Sequence, residues 1–471
     1  MKKSLKTKAL SALSRLFALI MLAVLFLSSS FAELPALRIR ASNPRLIEDA
    51  NGKPFFVAGT CPQNLIRDCD GAQVDAFFAN RQAKHFDLAQ VDIIALTPTH
   101  PDPVDAYGNH LFLYGESFEP SNINPAYMGS MDYIINSAAN HNQYVMIDLP
   151  VYNLAGTNHY NKIPGIQYYH LGQYLGKRWK THTHVLFMFG NDGFISELEN
   201  QLWNGIKENM PNALTTTDAN RTDFEAGPDH YIQPYEYRYT PAPNNLFRTN
   251  LTWLTLDGWY NYIAPSYAAA QDYNRPLVTM PSFIAETQYE EETFGGNRWN
   301  QSDGSARMIR NEEWAEVLWG GSGLGIYGKI AWTHVMTNLD EAGALSAQYC
   351  TEFFSSRPWY DLVPDKHHLF LISQGGTPPP MHDEFYTSAA LASDRRFGVV
   401  YYPGNSGNSY AMSINMAQMA GNTSVRWFDP SNGEYRTINA SPFVNAGSQT
   451  FNIPGTNSAG KSDWVLVLET K

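Results

Sequence analysis

Between residues 43 and 372 short apolar runs alternate with stretches of helical periodicity. The runs are Phe55–Gly59, Val91–Leu96, Tyr144–Leu149, Val185–Gly190, Ala213–Thr217, Trp259–Tyr262, Leu277–Ala285 and Gly323–Trp332, which read as eight strands. Helical patterns lie between most of them: Ala72–His85, Pro125–Asn142, Gln167–Thr181, Ile195–Asn209, Pro265–Tyr273 and Ser305–Gly320. Met131, Ile134, Ile135 and Ala138 show the i, i+3, i+4, i+7 spacing of one apolar helix face. This alternation predicts an α/β fold, a (β/α)8 TIM barrel, whose active site would lie at the C-terminal ends of its strands. The connections 97–123, 218–250 and 287–304 are long and rich in Pro, Asn, Asp and Tyr, as cleft-building loops are.

The rhythm breaks at Gly375-Gly376-Thr377-Pro378-Pro379-Pro380, a linker composition. Beyond it, Phe397–Tyr402, Tyr410–Ile414, Ser424–Phe428, Thr450–Ile453 and Trp464–Leu468 alternate apolar and polar positions between turn residues. That predicts a small antiparallel β-sandwich. The expected division is a signal peptide at 1–32, a barrel at 33–375 and a sandwich at 376–471.

The N-terminus changes the compartment. Lys2, Lys3, Lys6, Lys8 and Arg15 precede the apolar run Leu16–Leu27, and small residues end the segment at Ala32. This is the layout of a cleaved secretory signal, and the run is short for a membrane span. A secreted or periplasmic location follows, with no membrane span after cleavage. Loss of five positive charges from a net −12 leaves −17. Such a chain is a poor partner for nucleic acid or an anionic membrane. The 27 Tyr and 11 Trp suit a protein that stacks sugar rings, although aromatic residues also fill cores. Cys61 and Cys69 are near enough in sequence to form a disulfide in an oxidising compartment, which would leave Cys350 unpaired and buried.

The sharpest chemical feature is Val185–Gly190, an apolar run that stops abruptly at Asn191-Asp192-Gly193. The second is Leu277–Ala285, which ends in Glu286. Two strands would thus deliver two carboxylates to one rim, as glycoside hydrolysis requires: one protonates the leaving oxygen, the other attacks the anomeric carbon or activates water. An Asp after a strand can equally cap the next helix; it is the pairing that points to catalysis. Asp148 is the leading alternative member of the pair. Asp218, Asp257 and Glu290–Glu292 read as loop, cap or supporting residues. Asn191, Tyr289, Trp332, Asp148 and Tyr267 are the expected substrate-binding residues. Other aromatic candidates are Tyr107, Tyr114, Tyr152, Trp253, Trp259 and Trp299. His182 and His184 flank the start of the fourth strand, at the barrel floor. With no HExxH, no G-x-S-x-G, no P-loop and no G-x-G-x-x-G, neither a metal nor a cofactor is expected.

Several segments resemble the apiosidase-like family. Asn43–Phe56 is similar to its "R-x-L-x-D-x-x-G-K-P-F" opening, and Asn124-Pro125-Ala126-Tyr127 through Asp132-Tyr133 to its "NPAY…hVD" helix start. Val185–Asp192 resembles its "N-V-I-W-x-L-G-G-D", and Ala285–Glu290 its "G-E-P-x-Y-E". Arg426–Glu434 resembles the "W-F-D-P-R-T-G" of the collagen-binding-type domain that commonly follows. The resemblance implies a TIM barrel of the glycoside hydrolase family 140 type, which cleaves apiose linkages in a pectin. It also implies Asp192 as acid/base and Glu286 as nucleophile, in a retaining mechanism on a plant or algal polysaccharide. The chain departs from the pattern at Gly59-Thr60-Cys61-Pro62-Gln63-Asn64, Gly190-Asn191-Asp192 and Ala264-Pro265-Ser266-Tyr267, where substrate subsites are expected. The rival reading is a catalytically inactive secreted protein that binds carbohydrate or collagen.

Overall fold

Each of the eight apolar runs contributes a parallel strand in the computed structural model. The structure describes residues 33–470 except 95–102, 150–162, 191–196, 218–252, 261–264, 275–278, 287–288, 292–304, 330–335, 337–338, 374–384 and 405–410. A three-stranded sheet, Leu37–Ile39, Ile47–Asp49 and Pro54–Phe55, precedes the barrel. The barrel strands are β1 (Val57–Thr60), β2 (Leu88–Asp92), β3 (Tyr144–Leu149), β4 (Val185–Phe189), β5 (Thr215–Thr217), β6 (Asp257–Tyr260), β7 (Ser282–Glu286) and β8 (Gly323–Tyr327). Six pair in the order β8-β1-β2-β3-β4-β5, and β7 pairs with β6. Backbone hydrogen bonds cross both remaining seams: Leu256 N to Thr215 O at 2.9 Å, and Ser322 N to Ser282 O at 2.8 Å. The sheet therefore closes on itself, leaving no exposed edge.

The helices around it are α1 (Gly71–Ala83), α2 (Pro125–Asn140), α3 (Gly165–Trp179), α4 (Glu197–Ile206), α5 (Pro265–Tyr273), α6 (Ala306–Leu318) and α7 (Ala342–Ser355). Local chemistry sets their starts. Asp70 and Gln73 form a reciprocal capping box on α1, and Asn124 caps α2 with Pro125 in its first turn. Met131, Ile134, Ile135 and Ala138 are buried against the barrel as their spacing predicts. A Cβ built on Gly172 would lie 2.1 Å from Leu202 O, and one on Gly205 2.2 Å from Tyr169 O. Only glycine lets α3 and α4 pack backbone to backbone.

Strand residues split between two cores. Ala89, Val91, Val145, Ile147, Phe187 and Phe189 face the helices. Leu88, Met146, Leu186, Met188, Phe283, Ala285 and Ile326 fill the barrel interior. This wall separates Cys61 from Cys69, which the sequence leaves open to pairing: all three cysteines are free and buried. Cys61 joins the interior cluster, whereas Cys69 follows the short Leu65–Asp68 helix and joins the outer one.

The C-terminal part contains the five expected strands, some with shifted ends, and three more. Its large antiparallel sheet takes β9 (Leu362–Pro364), β10 (Ser388–Ala392), β11 (Phe397–Tyr402), β13 (Thr423–Phe428), β14 (Tyr435–Thr437) and β16 (Trp464–Thr470), in the order β9-β10-β11-β16-β13-β14. A second sheet pairs β12 (Ala411–Asn415) with β15 (Ser448–Asn452). Strand β9 comes from before the Pro-rich linker. Val400, Tyr402, Leu466 and Leu468 face Met412, Ile414 and Phe451 of the smaller sheet. The alternate residues Val399, Tyr401, Val465 and Val467 face Trp314, Phe353 and Phe354 of α6 and α7. Trp314 stacks on Tyr401 with ring centroids 5.8 Å apart. The central strands of the large sheet are thus buried on both faces, and Leu34–Lys471 forms one compact unit. Among the described residues no helix is long and apolar enough to cross a membrane.

Candidate active site

Read from floor to mouth, the inward positions of the barrel change from apolar to acidic. On β2 the inward series is Leu88, Gln90, Asp92; on β3 it is Tyr144, Met146, Asp148. Asp92 and Asp148 are register partners on neighbouring strands, so their side chains emerge side by side. Both are buried. Asp92 was not anticipated from sequence, because the run was read through to Leu96, which set Asp92 in mid-strand. The strand actually ends at Asp92.

Glu286 is the last residue of β7 and is buried. Tyr289, three residues further along the sequence, donates its hydroxyl to Glu286 Oε1 at 2.7 Å. The phenol oxygen lies 3.9 Å from the Cys61 thiol, which follows β1. Cys61 is itself fastened to β8 by its N–H to Tyr327 O, 3.0 Å. Burial, and after it the negative charges of Glu286, Asp92 and Asp148, push the Cys61 thiol well above its ordinary value. One thiol therefore senses three carboxylates carried by three strands, which places all three around a single mouth. Tyr289, an expected substrate-binding residue, holds Glu286 through its hydroxyl.

The Tyr289 ring lies against Gly328. A Cβ there would sit 2.1 Å from the ring, so only glycine permits the approach. The next residue, Glu290, locks the segment in place. Its N–H reaches Gly328 O at 2.9 Å, and its carboxylate accepts Tyr327 Oη at 2.5 Å and Gly343 N at 2.7 Å. Gly343 is in the first turn of α7, where unsatisfied N–H groups favour a negative charge. Burial nevertheless raises the Glu290 pKa, because desolvation outweighs these bonds. Beneath it the buried Arg81 guanidinium lies over Phe86 and Tyr327, 5.3 and 5.9 Å from their ring centres. Lys329 bridges Glu291 and Glu341 across the same mouth.

The other sequence candidates scatter. Asp192, Asn191, Trp332, Tyr152, Trp299, Asp218 and Glu292 lie outside the described residues. Asp257 begins β6 and so belongs to the floor end, not the rim. Tyr267 packs outside the wall with Trp259, Ile284, Trp319 and Tyr386, which makes it a packing residue rather than a sugar platform. Trp253 is buried edge-on against Phe189. Tyr114 is exposed, and exposed Tyr107 accepts a hydrogen bond from Gly71 N at 2.8 Å, at the start of α1. His184 is buried with Nε2 3.1 Å from Ile135 O, and burial lowers its pKa to about 4, so it stays neutral at the floor. Among the described residues no group of three or more His, Cys, Asp or Glu could hold a metal ion.

Comparison with known proteins matches this arrangement to a family. The model of the apiosidase-like catalytic domain matches residues 41–362. A second, described as "Putative collagen-binding domain of a collagenase", matches residues 381–469. No curated protein matches the chain's sequence. A solved structure titled "Glycoside hydrolase" is 17% identical with a TM-score of 0.73, covering 93% of this chain and 97% of that one. A glycoside hydrolase family 5 structure from Bacteroides vulgatus is also 17% identical, with a TM-score of 0.72 over 92% of this chain and 93% of that one. These likenesses carry the fold, and the family match spans most of the barrel: the chain belongs to the apiosidase-like family and is a glycoside hydrolase.

Proposed function

We propose that the protein cleaves glycosidic bonds of a polysaccharide or oligosaccharide by a retaining, two-carboxylate mechanism, with Glu286 as nucleophile and Asp192 as acid/base. The observation that carries this reading is Glu286 at the C-terminal end of β7, its Oε1 held by the Tyr289 hydroxyl at 2.7 Å. A carboxylate that accepts a phenol proton is stabilised in its charged form, as a nucleophile must be. Holding Oε1 fixes the orientation of the carboxylate at the strand end. The acid/base would protonate the departing oxygen, then deprotonate the water that releases the sugar from Glu286. Asp192 follows β4 by three residues in sequence, and the family resemblance supports its role.

Asp92 and Asp148 add two buried carboxyl groups beside Glu286 at the mouth. That favours a glycone of neutral, hydroxyl-bearing sugar over a uronate, because carboxylates accept hydroxyl protons and repel other carboxylates. An apiose-linked glycan is the first substrate to try. The signal-like segment at 1–32 supports secretion before the barrel folds, and the proposed division places the barrel before residue 376 and the sandwich after it.

Purified protein incubated with a panel of plant and algal polysaccharides should release reducing ends. Glu286→Gln should abolish release, and Glu286→Ala with azide should form a glycosyl azide. Release by Glu286→Gln at the wild-type rate would end the assignment. Retention of a glycan or collagen without any hydrolysis would favour the binding reading.

A further inference from the structure

We propose that Cys61 is a positioning residue that acts on Glu286 through Tyr289, by donating its S–H proton to the Tyr289 hydroxyl oxygen. This rests on the reading of Glu286 as nucleophile. The geometry is a chain of two hydrogen bonds joining the ends of β1 and β7. Tyr289 has a single hydroxyl proton, and Glu286 Oε1 takes it at 2.7 Å. Its oxygen can then only accept from the thiol, 3.9 Å away, within hydrogen-bond range for sulfur. The thiol has reason to keep its proton. It is buried, and Glu286, Asp92 and Asp148 all oppose a second negative charge there.

The position of the sulfur is built rather than incidental. Its backbone N–H bonds Tyr327 O at the β1–β8 seam, and the ring it meets lies over Gly328 at the end of the same strand. A phenol that accepts a hydrogen bond becomes a better donor, because chained hydrogen bonds polarise one another. The thiol thereby strengthens the grip on Oε1 and helps to hold Glu286 ionised.

Two measurements test this. The first needs no substrate. The S–H stretching band of Cys61, assigned by its loss in Cys61→Ser, should lie below the band of a thiol with no acceptor. It should shift upward in Tyr289→Phe, which removes the acceptor and retains the ring. A band unmoved by Tyr289→Phe overturns the proposal. The second uses the pH profile of kcat/KM on the glycan that the polysaccharide panel identifies. Cys61→Ala should lower kcat/KM about five-fold, the effect of losing one ordinary hydrogen bond. It should also move the acid limb to higher pH, since Glu286 becomes easier to protonate. Cys61→Ser, which keeps a donor, should recover most of both. A Cys61→Ala protein that is less stable but has the wild-type profile assigns the thiol to packing alone and overturns the proposal. Activity retained by Glu286→Gln would instead remove the catalytic reading on which it rests, and the infrared result would still decide the hydrogen bond.

Discussion

Two buried regions of this protein contain nearly the same chemistry. At the barrel mouth, Cys61, Tyr289, Asp92, Asp148 and Glu286 converge. At the junction with the C-terminal sheet, Cys350, Tyr401, Glu313, Arg310 and Asp463 converge. Each holds a thiol, a phenol and acidic groups out of water, and in each burial pushes the thiol well above its ordinary pKa. The difference lies in how charge is balanced. At the junction, Arg310 grips Asp463 in a two-pronged ion pair, Nε to Oδ2 at 2.6 Å and Nη2 to Oδ1 at 2.9 Å. Ser346 and Asn457 complete the hydrogen bonding of that pair. At the mouth, carboxyl groups from the ends of three strands lie around the Cys61 thiol, and the Tyr289 hydroxyl holds Glu286 Oε1. A buried charge is not a functional site by itself; the position of the carboxyl groups at the C-terminal ends of barrel strands separates the active region from the structural one.

That contrast can be broken in several places. Removing the barrel should have the largest effect. Residues 381–471 alone lack β9 and would expose Val399, Tyr401, Phe428, Val465 and Val467, so the fragment should show no cooperative thermal transition. Glu286→Gln follows: kcat should fall by at least about 10³-fold, with circular dichroism and Tm nearly unchanged. Asp463→Ala should do the reverse. Leaving Arg310 buried without its partner should cost about 3–5 kcal/mol in urea unfolding, while kcat of the folded fraction is retained. Gly328→Ala would drive a methyl group into the Tyr289 ring and tilt its hydroxyl from Glu286. Activity should drop by roughly 10²-fold, with a smaller change in Tm.

The smallest effect should come from Glu313→Gln, and it is pH-dependent. Burial first, and then the nearby Glu312, raise the Glu313 pKa well above its ordinary 4.5. The folded state then binds the proton more tightly than the unfolded state. Stability from this group is complete below about pH 4.5 and declines as pH rises toward the folded-state pKa. Glu313→Gln should match the wild type in Tm below that pH and exceed it at neutral pH. Equal Tm values at neutral pH would show that Glu313 finds a compensating partner there.

Much of the mouth was readable in advance for one reason. A barrel strand is buried on both faces, so it reads as an apolar run, and a carboxylate that ends such a run stands out; Glu286 did. Asp92 did not, because the apolar Ile93 and Ile94 that follow it hid the strand end. Tyr289 stands out in sequence as a site residue, and its hydrogen bond to Glu286 is what the structure adds. Its spacing from Glu286 is visible in sequence, while the direction of its hydroxyl depends on Gly328, 39 positions further along in β8's wake. Trp259 and Tyr267 looked like cleft residues and proved to be packing, since composition cannot tell the inner from the outer face of a barrel wall.

The sequence by itself determined the alternation of strands and helices, the change of pattern at the Pro-rich linker and the carboxylate that closes the seventh strand. These are local properties, written in the periodicity of neighbouring residues. Tertiary structure alone decided that Cys61 and Cys69 stand on opposite sides of a barrel wall, that Leu362–Pro364 joins the sheet beyond the linker, and that Arg310 meets Asp463 153 positions away. Each depends on which distant surfaces exclude water from one another, and no short stretch of chain contains that information.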